Sequence, residues 1–475
     1  KGLTAARAVD ADTVIEELAA SGLRGRGGAG FPTGVKWRTI KSFASPTLRT
    51  SVVVNAAEGE PGTFKDRSIL RANPYAVIEG ALIGARAMDA VSVVIATKAT
   101  FTDEVTRLRA AIGELASAGW LGDVDVQVVE GPSEYLYGEE TALLEVIDGR
   151  PPFPRIAPPF RRGIVEVVDA DAVSSESGLP AEVQMAGTQQ DSTAPPVLVN
   201  NVETMANVPA IIAKGAKWFR SVGTAESPGT ITCTVTGNVR HPTVVEVAMG
   251  TPLLEVIKSA GGEVRNESVL AVLVGVSSAP LTAAQLETPV SYEAMASIGS
   301  GLGSAGFIVV ADNTDPVGLA AGVSRFLAVE SCGQCTPCKQ DGGEIARLLE
   351  CAARGEATPD DLVTVRDRLT TVPDGARCSL ATQHQVVVGN LLDTFERRVT
   401  EQFQEGAPAV DVQLLAPLLD INNQGTSVDV SFASKKPDWT YDDIDSGKTP
   451  VERFTDHRAD EPDPLDPSAD GDGRL

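Results

Sequence analysis

The apolar positions of this chain change period several times, and each change marks a different kind of element. Val14, Ile15, Leu18 and Ala19 recur at helical spacing, so residues 11–22 read as an amphipathic helix stopped by Gly22. The unbroken run Ser51–Val54 has the signature of a buried strand and ends at Asn55. Helical patterns near 75–88 and 103–118 flank a second apolar run, Val91–Ala96. A third run, Val124–Val129, precedes Gly131-Pro-Ser and a helix starting near Gly138. Strands alternating with helices in this order predict an α/β layer with parallel strands.

Farther along, the style changes. Residues 170–197 are Ser, Glu, Gly, Gln and Thr with few large apolar residues, closing on Ala194-Pro-Pro, and read as an exposed loop insertion. Thr230–Thr236 alternates, Gly237-Asn238 turns it, and Thr243–Val247 returns as a hairpin partner. Thr251-Pro252 opens a short helix, Leu253–Ala260, that Gly261-Gly262 stops, and Ser268–Val274 supplies another strand. This combination predicts a small β-grasp-like α+β module over residues 229–311, after an α/β domain over 1–228. Residues 312–404 are helical: Val317–Val329, then Glu344–Arg354 ending at Gly355. A helix opened by Thr358-Pro359 follows, with Leu362, Val365 and Leu369 on its buried face, and Cys378 precedes a last helix running to about Phe403. In the extension over 405–475, Val410–Leu419 reads as a helix docking onto a neighbour. Its Asp- and Pro-rich end, Asp456–Leu475, is expected to be disordered.

Composition narrows the class. The 475 residues suit about three domains. No apolar run approaches the ~18 residues of a membrane span, so membrane contact would go through partners. Forty basic against 64 acidic residues give a net charge of −24, which argues against nucleic acid and anionic lipid. Lys1-Gly-Leu-Thr4 shows no signal peptide, a start so near the first motif suggests a trimmed N-terminus, and free thiols favour a reducing cytoplasm. His241, His384 and His457 are scattered, leaving little material for a His-ligated metal or a Ser-His-Asp triad.

The densest chemistry is Cys332-Gly-Gln-Cys335-Thr-Pro-Cys338, with Cys378 downstream. Three thiolates from one short loop suit three corners of a cubane and a distant fourth closes it, as in [4Fe–4S] ligation. A structural zinc site is the alternative, but such sites usually bring two separated C-x2-C pairs. Disulfides fit less well, because Cys233 and Cys351 fall into no paired pattern. His384, six residues past Cys378, is placed to tune the surroundings rather than to ligate.

Gly25-Arg26-Gly27-Gly28-Ala29-Gly30-Phe31-Pro32-Thr33-Gly34, with Lys36 beyond it, lets backbone approach a flat or anionic ligand closely. Alone it is a weak signal, since it matches neither the dinucleotide fingerprint nor a P-loop. Asn55-Ala-Ala-Glu-Gly-Glu-Pro-Gly-Thr-Phe-Lys-Asp-Arg67 follows a buried strand, where α/β sheets place ligand-binding residues. Tyr135-Leu-Tyr-Gly-Glu-Glu140 and Asn200-Asn-Val-Glu-Thr204 add amides and carboxylates suited to a polar ring edge and ribityl hydroxyls.

In this order, from about Leu18 to about Leu392, these five motifs resemble the flavoprotein subunit of respiratory complex I and its relatives in NAD-reducing hydrogenases and formate dehydrogenases. The resemblance implies a Rossmann-like FMN and NADH domain, a β-grasp module and a helical [4Fe–4S] domain. It implies hydride transfer from NADH to FMN, and single electrons passing through the cluster to an iron–sulfur partner. That partner, a thioredoxin-like [2Fe–2S] or ferredoxin-like subunit, would share a hetero-oligomeric complex with this chain, in the cytoplasm or on the cytoplasmic face of a membrane complex. By motif, Gly25 to Gly34 with Lys36 correspond to the nucleotide and flavin loop; Asn55, Glu58 and Gly59 to flavin contacts; and Glu60 to the acidic residue near the nicotinamide. Gly138, Glu139, Glu140, Asn200, Asn201 and Thr204 match the next two motifs. Phe31, Tyr135 and Phe160 fall where the family surrounds the dinucleotide, and Cys332, Cys335, Cys338 and Cys378 match the cluster ligands. Glu60 and Glu140 would orient the nicotinamide.

The chain departs from the pattern on the nucleotide side. Ala57 stands where an Asp is usual, Thr39 where an aromatic residue helps to sandwich the adenine, and Ala157 where a Lys faces the dinucleotide. The connection from Phe160 to Asn200 is also longer than usual. An electron-transfer module that serves a ferredoxin-like partner without efficient NADH oxidation is therefore the second reading.

Overall fold

The structure, a computed structural model, describes residues 1–45, 48–164, 195–262, 268–422 and 425–437. Most of the expected 170–197 insertion and the expected disordered end at Asp456–Leu475 lie outside the described residues.

The first layer is a parallel sheet of β1 (Ser51–Ala56), β2 (Ser92–Lys98), β3 (Asp125–Gly131) and β4 (Val197–Asn201), in the order β3-β2-β1-β4. Both of its faces are covered, which is why its inner strands read as unbroken apolar runs. Val52 and Val54 pack toward α1 (Gly2–Arg7), α2 (Ala11–Ser21), α3 (Thr33–Ser42), α4 (Lys65–Ala72), α5 (Pro74–Met88) and α6 (Thr102–Ser117). Val53 points the other way, toward α7 (Glu140–Ile147). Two further helices, α8 (Val202–Lys214) and the short α9 (Ala216–Phe219), complete the layer on the α5 side. The helix expected at 11–22 forms because its ends are specified locally. Asp10 accepts from Thr13 N at 2.7 Å, and Gly22 turns the chain at φ 72°, where a β-carbon would be strained.

The hairpin expected at 230–247 forms as β5 (Thr230–Gly237) and β6 (Thr243–Ala248). With β7 (Val269–Val274), β8 (Ser278–Thr282) and β9 (Gly306–Ala311) it makes a mixed sheet, order β6-β5-β9-β7-β8, in which only β5–β9 is parallel. Val256 and Ile257 of α10 (Leu253–Gly261) close its core over Cys233 and Phe307, and α11 (Tyr292–Ser297) flanks it. Cys233 is thus a core thiol.

The remaining helices are α12 (Pro316–Val329), α13 (Thr336–Ala353), α14 (Pro359–Thr371), α15 (Leu380–Thr394) and α16 (Glu396–Gln402), packed on one apolar core. Here two expectations change. The helix expected from Glu344 starts at Thr336, inside the cysteine segment, and the last helix breaks at Phe395.

Residues 410–417 are not the helix expected there; they form an irregular strap leading into β10 (Leu418–Asn422) and β11 (Gly425–Val428). The reason lies in α12, where Gly318 and Gly322, one turn apart, leave a groove. A β-carbon at either would collide with the carbonyl of Asp411 or Gln413. The strap satisfies its backbone against the bundle, Val410 N donating to Ala353 O at 2.7 Å and Gln413 N to Gly318 O at 3.1 Å. Among the described residues, no helix is long and apolar enough to cross a membrane.

Candidate functional site: a crevice at the sheet edge and a four-cysteine cavity

Strand β1 lies between β2 and β4, with Asn55 opposite Asn201 at their C-terminal ends. The chain leaves β1 for one neighbour and returns beside it on the other side, so a crevice opens at this edge. The expected loops gather there. Gly25 N donates to Phe31 O at 2.8 Å, closing the glycine turn, and Arg26 N donates to Thr204 Oγ1 at 2.9 Å. Gly28 has φ 119°, a conformation that favours glycine, and lies beside Gly303 and Ser304 of the mixed-sheet module. Lys36 Nζ bonds Glu140 Oε1 at 2.6 Å and Val199 O at 3.1 Å, and Trp37 Nε1 donates to Asn200 Oδ1 at 2.8 Å. Asn55 Nδ2 donates to Gly138 O at 2.8 Å, joining the second and third motifs. An edge of amides, one ion pair and glycine backbone suits a flat polar ring with an anionic tail.

Several expected contact residues have other partners. Gly34 packs against Ala19 where α3 crosses α2. The Arg26 guanidinium, buried, donates to Thr230 O at 2.9 Å and Pro228 O at 3.3 Å in the segment entering β5. Glu139 caps α7, accepting from Thr141 N at 2.9 Å and Ala142 N at 2.8 Å. Asn201 caps α8 and donates to Asp66 Oδ2 at 2.7 Å. Glu60 accepts from Val276 N at 3.0 Å and Ser304 Oγ at 2.6 Å, both in the mixed-sheet module, and burial holds its carboxyl above the ordinary range. Tyr135 faces the helical bundle, its hydroxyl 3.2 Å from Gln383 Oε1. On the nucleotide side Phe160 is tilted against Phe43 at 5.1 Å, Phe31 is exposed, and Ala57 is buried.

Pattern reading missed the charge network beneath the crevice. Lys65 Nζ lies 2.7 Å from Asp66 Oδ1, 3.1 Å from Glu203 Oε2 and 3.1 Å from Asn201 Oδ1, with its side chain 1% exposed. Burial alone would lower the lysine's pKa, but Asp66, Glu203 and Glu58 together raise it. Glu58 receives Asp66 N at 3.2 Å and Arg67 N at 3.3 Å, so it sits over the first turn of α4. Burial, then the Asp66 charge, push its carboxyl up to about 7. Lys65, Asp66 and Glu203 all stand inside motifs read from the sequence. Their pairing was hidden because Asp66 opens α4 and Glu203 opens α8, two helix starts far apart in the chain.

The sign for Glu58 follows from the raised pKa. Between the ordinary 4.5 and about 7 the folded chain holds a proton that the unfolded chain releases, so this residue's contribution to stability falls as pH rises through that window. Glu58→Gln is expected to remove that slope. Urea midpoints should favour the variant more at pH 8 than at pH 5; an equal difference at both values would contradict the assignment.

On the bundle side, Cys332, Cys335, Cys338 and Cys378 line one cavity, together with Leu136, Pro154 and Ser331. Cys335 is the N-cap of α13, Cys338 lies in its first turn, and Cys378 stands just before α15, so loops alone do not supply the set. Burial raises the Cys332 thiol and pushes Cys338 up to about 11 and Cys378 to about 12. Among the described residues no three His, Cys, Asp or Glu side chains converge tightly enough for a single ion. A tetrahedral zinc, with Zn–S of about 2.3 Å, would need sulfurs within roughly 4 Å of one another. Thiols spread around a shared cavity fit the wider corners of a cubane. His384 does not line the cavity; it is buried, bonds Ser324 Oγ at 2.7 Å, and is lowered to about 4 by burial.

Comparison with known proteins agrees with this layout. The Nuo51 FMN-binding domain model matches residues 18–210, the SLBB domain matches 232–272, and the NADH-ubiquinone oxidoreductase-F iron-sulfur binding region matches 318–402. An NADH-quinone oxidoreductase F subunit of Rhizobium meliloti (strain 1021) is 37% identical over 407 residues, 83% of this chain and 87% of that protein. Its counterpart in Rickettsia typhi (strain ATCC VR-144 / Wilmington) is 34% identical over 405 residues, 83% of this chain and 89% of that protein. Among solved structures, an NAD+-reducing [NiFe]-hydrogenase in the H2-reduced state matches with TM-score 0.73 and 32% identity. The match covers 84% of this chain and 64% of that one.

Proposed function

The chain belongs to the family of NADH-quinone oxidoreductase F subunits, and we propose that it works as an NADH dehydrogenase-type electron-transfer subunit carrying FMN and one [4Fe–4S] cluster. The observation that carries this reading is the shared wall. Leu136 lines the four-cysteine cavity, and Gly138, two residues on, is bonded to Asn55 at the crevice. Bound in these places, FMN and the cluster supply acceptance of hydride from NADH and release of its electrons one at a time.

The chain's own residues bind and orient. Gly25, Gly27 and Gly28 offer close backbone approach, and Asn55, Asn200 and the Lys36–Glu140 pair present a polar edge, while Gly30 packs on Tyr292 and the buried Thr204 holds the turn through Arg26 N. Glu58 and Gly59 form the floor of the crevice, and Phe31 and Phe160 flank the dinucleotide. Glu60, held by Val276 and Ser304, ties the nicotinamide side to the mixed-sheet module. Glu140 orients from the opposite side. No acid–base group is needed for hydride transfer, so position is what these carboxylates contribute. The four thiols give up their protons on binding iron, which makes cluster uptake pH-dependent. Electrons leave to an iron–sulfur protein subunit of a hetero-oligomeric complex, thioredoxin-like or ferredoxin-like, in the cytoplasm or at its face of a membrane complex.

Anaerobic mixing of the purified, reconstituted chain with NADH tests the reading. Bleaching of the flavin absorbance within the first seconds is the expected result. A bound flavin that NADH leaves oxidised would instead favour the ferredoxin-serving module, as Thr39, Ala57 and Ala157 would then imply. A chain that takes up no flavin would overturn both.

A further inference from the structure

The chain after α16 lies outside the matched iron–sulfur region, which ends at residue 402. It is nonetheless built into both halves of the site. The strap runs along α12 over Gly318 and Gly322, then crosses to the parallel-sheet layer. There Leu418 O accepts from Arg67 at 3.1 Å and Asp420 pairs with Arg71 at 2.8 Å. After β11 it returns to the bundle, where Arg325 donates to Ala433 O at 3.0 Å and Lys435 O at 2.9 Å. Phe432 stacks on Phe326 with ring centroids 5.6 Å apart.

At the end of that return Lys435 Nζ meets Glu330 Oε1 at 2.7 Å, with 14% and 1% of the two side chains exposed. The other oxygen of Glu330 accepts from Tyr135 N at 2.8 Å. Tyr135 is held from a second direction too, its ring edge-on to Phe326 at 5.5 Å. The next residue, Leu136, lines the cysteine cavity on the crevice side. Lys98, whose Nζ donates to Ser133 O at 2.9 Å, is the other cation here and faces Glu330, Glu134 and Glu58. With Lys435 absent, the buried Glu330 carboxylate would lose its directly bonded cation, which is costly.

We propose that Lys435 is a positioning residue of the electron-transfer junction. The C-terminal strap delivers its ammonium to hold Glu330 on the Tyr135 backbone, fixing the Tyr135–Leu136 wall between the crevice and the cluster cavity. The role of that wall rests on the function proposed above; the holding of Tyr135 does not.

Two variants of the full chain separate the possibilities. Lys435→Met keeps length and strips charge, and Lys435→Arg keeps charge. In the chain without cofactors, hydrogen exchange at the Tyr135 amide should accelerate about tenfold or more in Lys435→Met and stay near wild type in Lys435→Arg. In the reconstituted chain, the cluster midpoint potential followed by EPR should move negative in Lys435→Met, because a nearby cation is lost, and return in Lys435→Arg. Arg397→Gln, which breaks an exposed pair with Glu401, should move neither readout. Unchanged exchange in Lys435→Met, or an arginine variant that behaves like the methionine one, would overturn the proposal. If Lys435→Met does not accumulate folded, Lys435→Gln makes the same comparison. A chain that takes up no cluster would sink the functional reading, while the exchange measurement would still decide what Lys435 holds.

Discussion

Cys378→Ser is expected to abolish the [4Fe–4S] EPR signal and to cut acceptor reduction at least roughly 10–100-fold, the loss that even an outer partner of a metal ligand can cause. Flavin reduction by NADH should survive, because the segment Tyr135–Glu140 stands between the crevice and the cavity, Leu136 lining the cavity and Gly138 bonded to Asn55. The split between the two readouts is the informative part. Cys378 is the one cavity cysteine that does not come from the segment 332–338, so its loss opens the cavity without disturbing the start of α13. Retained cluster signal in Cys378→Ser would show that this thiol is not a ligand. Loss of flavin as well would show that the two sites fold as one unit.

Lys65→Met is expected to destabilise the chain by about 3–5 kcal/mol, the range found when one partner is removed from a buried ion pair. The network explains why the effect should sit at the upper end of single substitutions. Lys65 is 1% exposed, Asp66 6% and Glu203 4%, so no water replaces the missing ammonium. Asp66, Glu203 and Glu58 would face one another uncompensated, and Glu58, raised by burial and Asp66 and held down by Lys65 in the wild type, would keep its proton still more tightly in the folded chain. Stability of the variant should therefore improve on acidification, whereas the wild type keeps its lysine charge across the same range. Urea denaturation at pH 5.5 and pH 8 measures both effects. A loss below about 1 kcal/mol, the value of an exposed pair, would place the network in water rather than beneath the crevice.

Local signals account for much of what was legible. Gly22 stopped a helix, Gly237-Asn238 turned a hairpin, and the run Ser51–Val54 announced a buried strand. The cysteine spacing was legible for the same reason, since three of the four cavity cysteines lie within the seven residues leading into α13. Val410–Leu419 misled because only Leu415, Ala416 and Leu418 of its apolar positions are buried, while Val412, Leu414 and Leu419 are exposed, and the groove in α12 receives its backbone as an irregular strap. Nothing within that segment announces two glycines almost a hundred residues earlier in the chain. The same holds for Arg26 and Glu139, which look like ligand contacts in a motif and are drawn to carbonyls at the entry to β5 and to a helix start.

The amino-acid sequence by itself determined the kinds of element, their order, the four cysteines and the motifs that meet at the sheet edge. These depend on spacing, capping and glycine geometry, which act over a few residues. Only the tertiary structure decided which charges are buried together. Lys65 meets Glu203, Glu60 meets the mixed-sheet module, and Lys435 reaches Glu330 beside Tyr135. Burial and charge pairing are properties of residues far apart in the chain, and they take effect only once the layers have packed.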